Sequence, residues 1–144
     1  MIYLLDTNVL IARLSENHEF YQDVIRWEAG KKFAICPLSG LGFLRISCAP
    51  TGPIKATMAE AKENLTGFLT SRKCAFVPDD IPAELVDTVA SSKQITDYYL
   101  ASLAAKHKMK LATFDGKINH PAVEVIPVSP PATPRPSPAS AKQK

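Results

Sequence analysis

The first apolar run of the chain, Ile2-Tyr3-Leu4-Leu5, stops on Asp6, and a second, Val9-Leu10-Ile11, begins after Thr7-Asn8. Four apolar residues bounded by a carboxylate predict a buried strand ending at Asp6. Thr7 and Asn8 are helix starters, so a short helix to about Leu14 should follow. His18 to Ala29 places Phe20, Val24 and Trp27 at helical spacing, and Gly30-Lys31-Lys32 ends that helix. Phe33 to Cys36 is strand-like. Pro37 to Ser47 reads as a weak helix, because Gly40 and Gly42 each cost it about 1 kcal/mol relative to Ala. Beyond the break at Thr51-Gly52-Pro53, Lys55 to Ser71 is an amphipathic helix with Met58, Ala61, Leu65, Phe68 and Leu69 on one face. A strand is expected from Cys74 to Val77 and a short helix near Pro82 to Val89. Thr96 to Lys108 is a helix with Thr96 as N-cap, followed by strands at 110–113 and Val123 to Ile126. Strands alternating with helices predict an α/β fold with a mostly parallel sheet covered on both faces.

Composition bounds this picture. The 144 residues, 46% of them hydrophobic, suit one domain with one sizeable core. No apolar stretch approaches the roughly 20 residues needed to cross a bilayer. No basic region precedes the first apolar residues and Asp6 interrupts them, so neither a secretory leader nor membrane attachment is expected. Cys36, Cys48 and Cys74 are widely spaced, lack any CxxC, and read as small core residues of a cytoplasmic protein. Residues 127–144 are rich in Pro, Ala and Ser and predict a disordered basic tail beyond a domain at 1–126. That tail holds Arg135, Lys142 and Lys144 and no acid. The body is therefore neutral, with 14 basic and 14 acidic residues, although the whole chain carries +3. Binding of nucleic acid would need a local basic patch or a metal.

Candidate chemistry gathers on three aspartates. Asp6 and Asp115 each follow a strand, and Asp97 stands in the first turn of a helix. In a parallel sheet these positions can converge at the carboxyl end, where open α/β sheets place their sites. Singly, each is a capping or dipole-complementing carboxylate worth about 0.3–1 kcal/mol. Together they favour a site. Two such charges about 4 Å apart repel by about 4 kcal/mol at an effective dielectric of 20, which raises pKa values or recruits a cation. Oxygen-only ligands suit Mg²⁺ or Mn²⁺, which can activate a water against a phosphodiester. His18, His107 and His120 have no ligand spacing. Lys106-His107-Lys108-Met109-Lys110 reads as a run offsetting a helix dipole. Tyr98 and Tyr99 could stack on bases, with at least one expected in the core or at an interface. GxxxxGK[ST], GxGxxG and GxSxG are absent.

LLDTNVLIA at the start, PLSGLGFLRIS at 37–47 and ITDYYLASLAAKHKMKLATFD at 95–115, in that order, resemble a PIN domain, in particular the VapC-type toxins of bacterial toxin–antitoxin pairs. The resemblance covers about residues 1–126. It implies a single three-layer PIN-like domain and a Mg²⁺/Mn²⁺-dependent endoribonuclease acting on RNA. It also implies a homodimer and inhibition by a cognate antitoxin. On the matching positions, Asp6, Asp97 and Asp115 are the implied catalytic, metal-binding acids. Asn8 and Thr113 fall where the family often has polar residues that orient them, and Arg45 matches an arginine after the central helix. Gly40 departs from the pattern, standing where members usually carry Glu. Asp79, Asp80, Glu60 and Glu63 are possible substitutes, and spacing singles out none. An alternative is therefore a catalytically weakened PIN-fold module that binds antitoxin or RNA. A receiver domain fits less well, since it wants paired acids directly after the first strand.

Overall fold

The computed structural model describes residues 1–130. Residues 131–144, which hold most of the expected tail, lie outside the described residues. Five strands, β1 (Ile2–Leu5), β2 (Lys32–Ile35), β3 (Ala75–Phe76), β4 (Lys110–Thr113) and β5 (Val123–Val125), form one sheet in the order β3-β2-β1-β4-β5. Every pairing is parallel.

Five α-helices cover it: α1 (Thr7–Arg13), α2 (Tyr21–Trp27), α3 (Pro37–Ser47), α4 (Met58–Ser71) and α5 (Ile95–Lys106). The strands read as near-continuous apolar runs because both faces are buried. Alternation along each strand sends Leu5, Phe33, Ile35 and Ala112 into one core with residues of α1 to α4, and Leu4, Ala34 and Leu111 into a second with α5. This is a three-layer α/β architecture. Glu28, at the end of α2, ties the first layer together. Its carboxylate accepts from Arg13 Nε at 2.6 Å and lies 2.6 Å from Nη1 of Arg72, the residue that closes α4.

Several expected boundaries shift for local reasons. The helix anticipated from His18 to Ala29 spans only Tyr21–Trp27, since His18 Nδ1 accepts the Phe20 amide in a turn ahead of it. The helix anticipated from Lys55 starts at Met58. Thr57 and Glu60 form a reciprocal capping box, and Lys55 sits at φ 54°, outside helical space. The helix anticipated near Pro82 to Val89 is only a 3-10 turn, Ala83–Leu85. None of its residues is buried and Leu85 is 68% exposed, so no core contact supports a longer one. Thr96 is not an N-cap: a 3-10 turn at Ser92–Gln94 runs directly into Ile95, and Ser91 caps that turn instead.

Among the described residues, no helix is long and apolar enough to cross a membrane. The three cysteines are free, and Cys36 is buried in the core as expected.

Candidate active site

The chain builds outward from β1 to β2 and β3, then returns to add β4 on the other side. β1 and β4 therefore flank the point where strand order reverses, the place where an open α/β sheet leaves a crevice at its carboxyl ends. Asp6 follows β1 and Asp115 follows β4. The third acid, Asp97, comes from the first turn of α5, which packs on both strands.

A thread of hydrogen bonds joins these segments. Thr113, 1% exposed, donates its hydroxyl to Asp6 Oδ2 at 2.9 Å across 107 residues of sequence. The Asp115 amide donates to the same Thr113 oxygen at 3.1 Å. Asp115 Oδ1 then accepts the Lys117 amide at 2.8 Å. The backbone amide of Asp6 donates to the Ala112 carbonyl at 3.2 Å, so the β1–β4 ladder extends to the site itself. Asp6 is thus oriented before anything binds.

The electrostatics follow from this assembly. Burial raises the pKa of Asp6, the Thr113 and Thr7 hydrogen bonds counteract that, and the charge of Asp115 adds to the rise. Asp97 is pushed up to about 6, first by burial and then by the charges of Asp6 and Asp115. Charges from two other segments are thus felt at Asp97, and the charge of Asp115 is felt at Asp6. Asp97 and Asp115 line a polar hollow of about 290 Å³ together with Ser91, Lys93, Gln94 and Lys117, while Asp6 is not in that lining.

The donors are hard oxygens under mutual repulsion, which suits Mg²⁺ or Mn²⁺ in kind. Among the described residues, no three His, Cys, Asp or Glu groups stand close enough together to hold one metal ion, so Asp6, Asp97 and Asp115 do not all converge on a single cation position. The geometry is instead an open, electrically coupled set. That fits Mg²⁺, which is usually held by one or two carboxylates and keeps several waters.

The remaining expected site residues are placed as follows. Asn8 is exposed in the first turn of α1, two residues beyond Asp6. Arg45 is exposed in the last turn of α3, about 12 Å along the helix from its start at a rise of 1.5 Å per residue. Its charge complements that helix end. Gly40 is buried in α3. A Cβ there would meet Ile35 Cδ1 at 3.6 Å and Leu65 Cδ2 at 3.9 Å, ordinary contacts, so packing does not demand glycine.

Three of the four possible substitutes for the missing acid are engaged elsewhere. Asp79 caps α3 by accepting the Leu38 amide at 3.0 Å. Asp80 pairs with Lys106 and His107. Glu60 belongs to the α4 capping box. Glu63 is exposed on α4.

The histidines have local partners. His18 and His120 accept the amides of Phe20 and Ala122, and His107 bonds Asp80. Tyr99 packs against the second core and donates to the Ile81 carbonyl at 3.0 Å, while Tyr98 accepts the Asn119 amide at 3.0 Å.

Sequence reasoning missed two parts of the site. Lys93 and Lys117 reach its rim, and only the Ser-x-Lys and Asp-x-Lys spacings that place their amides could have signalled them. Thr7, read only as a helix starter, donates to the Ser39 carbonyl at 3.1 Å and docks α1 on α3 beneath Asp6.

Comparison with known proteins agrees with this architecture. A PIN domain family model matches residues 3–124. Ribonuclease VapC39 of Mycobacterium tuberculosis is 32% identical over 127 residues, covering 82% of this chain and 91% of that protein. Ribonuclease VapC38 of the same organism is 31% identical over 123 residues, covering 80% and 86%. Among solved structures, VapBC2 from Rickettsia felis bound to a DNA fragment from their promoter superposes with a TM-score of 0.57. The identity is 18%, and the match covers 87% of this chain and 98% of that one. FitAcB from Neisseria gonorrhoeae superposes at 0.58 with 21% identity, covering 80% and 88%. These structural likenesses concern the fold.

Proposed function

The chain belongs to the PIN-domain family, and from that premise we propose that it is a metal-dependent endoribonuclease of the VapC toxin kind. In this reading it cleaves RNA phosphodiester bonds in the cytoplasm, forms a homodimer, and is held inactive by a cognate antitoxin protein. The observation that carries the reading is the thread from Asp6 through Thr113 to Asp115, with Asp97 coupled to both acids. It supplies oriented carboxylates at the sheet's switch point. Relatives named as ribonucleases, about a third identical over most of the chain, support the reaction class.

Each residue then has a task. Asp6 and Asp97 hold a Mg²⁺ or Mn²⁺ ion, and Asp115 completes the negative set. When bound, the ion supplies an activated water and neutralises phosphodiester charge. Thr113 keeps Asp6 in one rotamer and, through the Asp115 amide, fixes the loop after β4. The upward shift at Asp97 means that its proton must leave before that carboxylate serves a cation.

The test is cleavage of a labelled RNA in Mg²⁺ or Mn²⁺ by the parent and by Asp6→Asn. The substitution keeps the side-chain shape and an oxygen for Thr113. The variant should lose cleavage while retaining its circular dichroism and melting transition. A folded Asp6→Asn protein that cuts as fast as the parent removes Asp6 from the site.

Gly40 favours a second reading, a PIN-fold module that binds antitoxin or RNA and cleaves weakly for want of an acid on α3. Gly40→Glu separates the two. A large gain in Mg²⁺-dependent cleavage means the site is degenerate. No gain in a folded variant, with the parent itself cutting RNA, means three carboxylates suffice.

A further inference from the structure

The ammonium groups of Lys93 and Lys117 have no task in holding the cation or orienting the acids. Both line the hollow shared by Asp97 and Asp115. Local chemistry puts each of them there. Ser91 Oγ accepts the Lys93 amide at 3.3 Å in the turn that leads into α5. Asp115 Oδ1 accepts the Lys117 amide at 2.8 Å just beyond β4. Two carboxylates share the hollow, yet among the described residues neither ammonium forms an ion pair with an acid. A lysine that stands beside acids without bonding them is available to a third group.

The charge balance says which group. An RNA backbone approaching Asp6, Asp97 and Asp115 meets like charge. One divalent ion against three carboxylates still leaves the pocket negative, and two ammonium groups at the rim reverse that sign. The body of the chain is neutral overall, so no general field does this work. Lysine is a compact point charge without a planar fork, suited to phosphate rather than to reading a base edge.

We propose that Lys93 and Lys117 form a phosphate grip that holds the RNA sugar–phosphate backbone across the carboxylate hollow. This assignment rests on the ribonuclease reading and deepens it. The grip is indifferent to base identity and sets the register of the strand, bringing one phosphodiester to the acids.

The experiment uses the full chain carrying Asp6→Asn, so that RNA stays intact. A fluorescein-labelled, random-sequence single-stranded RNA oligonucleotide serves as probe, in MgCl₂ over a KCl series, read by anisotropy. Adding Lys93→Gln and Lys117→Gln should weaken binding. It should also flatten the slope of log affinity against log salt by about 0.7 for each phosphate that the protein no longer neutralises. Replacing both lysines by Arg should keep the binding. Lys32→Gln with Lys62→Gln removes equal charge from the amino end of β2 and from α4, and should leave the slope unchanged.

An unchanged slope in the Lys93/Lys117 variant overturns the grip, as does an equal fall in the Lys32/Lys62 control. Cleavage by the unsubstituted protein, measured alongside, separates the two readings. Cleavage with an unchanged slope removes the grip alone. Neither cleavage nor binding removes the nuclease with it.

Discussion

Asp97 carries a measurable consequence of its surroundings. In the folded protein its carboxyl is raised to about 6 from an ordinary value of 3.8, so the native state holds this proton more tightly than the unfolded chain does. A group raised in this way contributes stability fully below about pH 3.8, and that contribution is lost as pH climbs through about 6. Asp97→Asn cannot ionise and escapes the loss. In EDTA, the variant should melt above the parent at about pH 8, and the gap should close toward about pH 4. Equal melting temperatures at both ends would mean that neither burial nor the neighbouring acids raise the Asp97 carboxyl. Asp97 was legible from sequence only in company with Asp6 and Asp115, because an acid in a first helical turn is commonplace, as Asp23 and Glu60 show. The altered acidity of Asp97 was not, since that depends on burial and on two acids distant in sequence. Thr113 shows the same limit: a threonine ending a strand is commonplace until the strand beside it proves to end in Asp6.

At the level of helices, α1 and α3 meet through the smallest available surface. A Cβ on Gly42 would lie 2.5 Å from Thr7 Oγ1 and 3.1 Å from Cγ2, closer than packed atoms allow. Thr7 cannot simply rotate away without giving up its bond to the Ser39 carbonyl. Gly42→Ala should therefore destabilise the protein by about 1–3 kcal/mol through overpacking. The opposing gain from alanine's helix propensity is only about 1 kcal/mol. Urea unfolding will report the loss, and adding Thr7→Ala should recover part of it. A Gly42→Ala protein as stable as the parent would show that the helices separate at little cost. Reading each glycine of α3 only as a helix breaker treats them alike. The structure distinguishes them, since Gly42 is required by a neighbouring helix and Gly40 is not. Similarly, the Thr57-x-x-Glu60 capping box stood in plain view, but the expected start of α4 was set by the break at Thr51-Gly52-Pro53 and so fell at Lys55.

For the molecule as a whole, the layer order was readable because a parallel sheet buried on both faces leaves apolar runs that differ from helical spacing. Strand order was less accessible. Nothing local says that the chain reverses after β3 and lays β4 against β1, and β3 itself has only two residues. The site exists because of that reversal, which is why its acids could be nominated from sequence while their partnership had to be found in space. The root of the C-terminal segment is also tied down: Ser129 donates its amide to Asp23 Oδ1 at 2.9 Å and its hydroxyl at 3.0 Å. Burial works against ionisation of Asp23, but hydrogen bonds from Ser129 and the nearby Arg26 outweigh it and lower its pKa.

The bond between Thr113 and Asp6 also governs when the pocket can exist during synthesis. Asp6 leaves the ribosome well ahead of the hydroxyl that orients it, which emerges 107 residues later. Nascent chains that stall or terminate before β4 lack both that hydroxyl and Asp115. Such truncated translation products leave the ribosome without an assembled pocket, however well their first helices have formed.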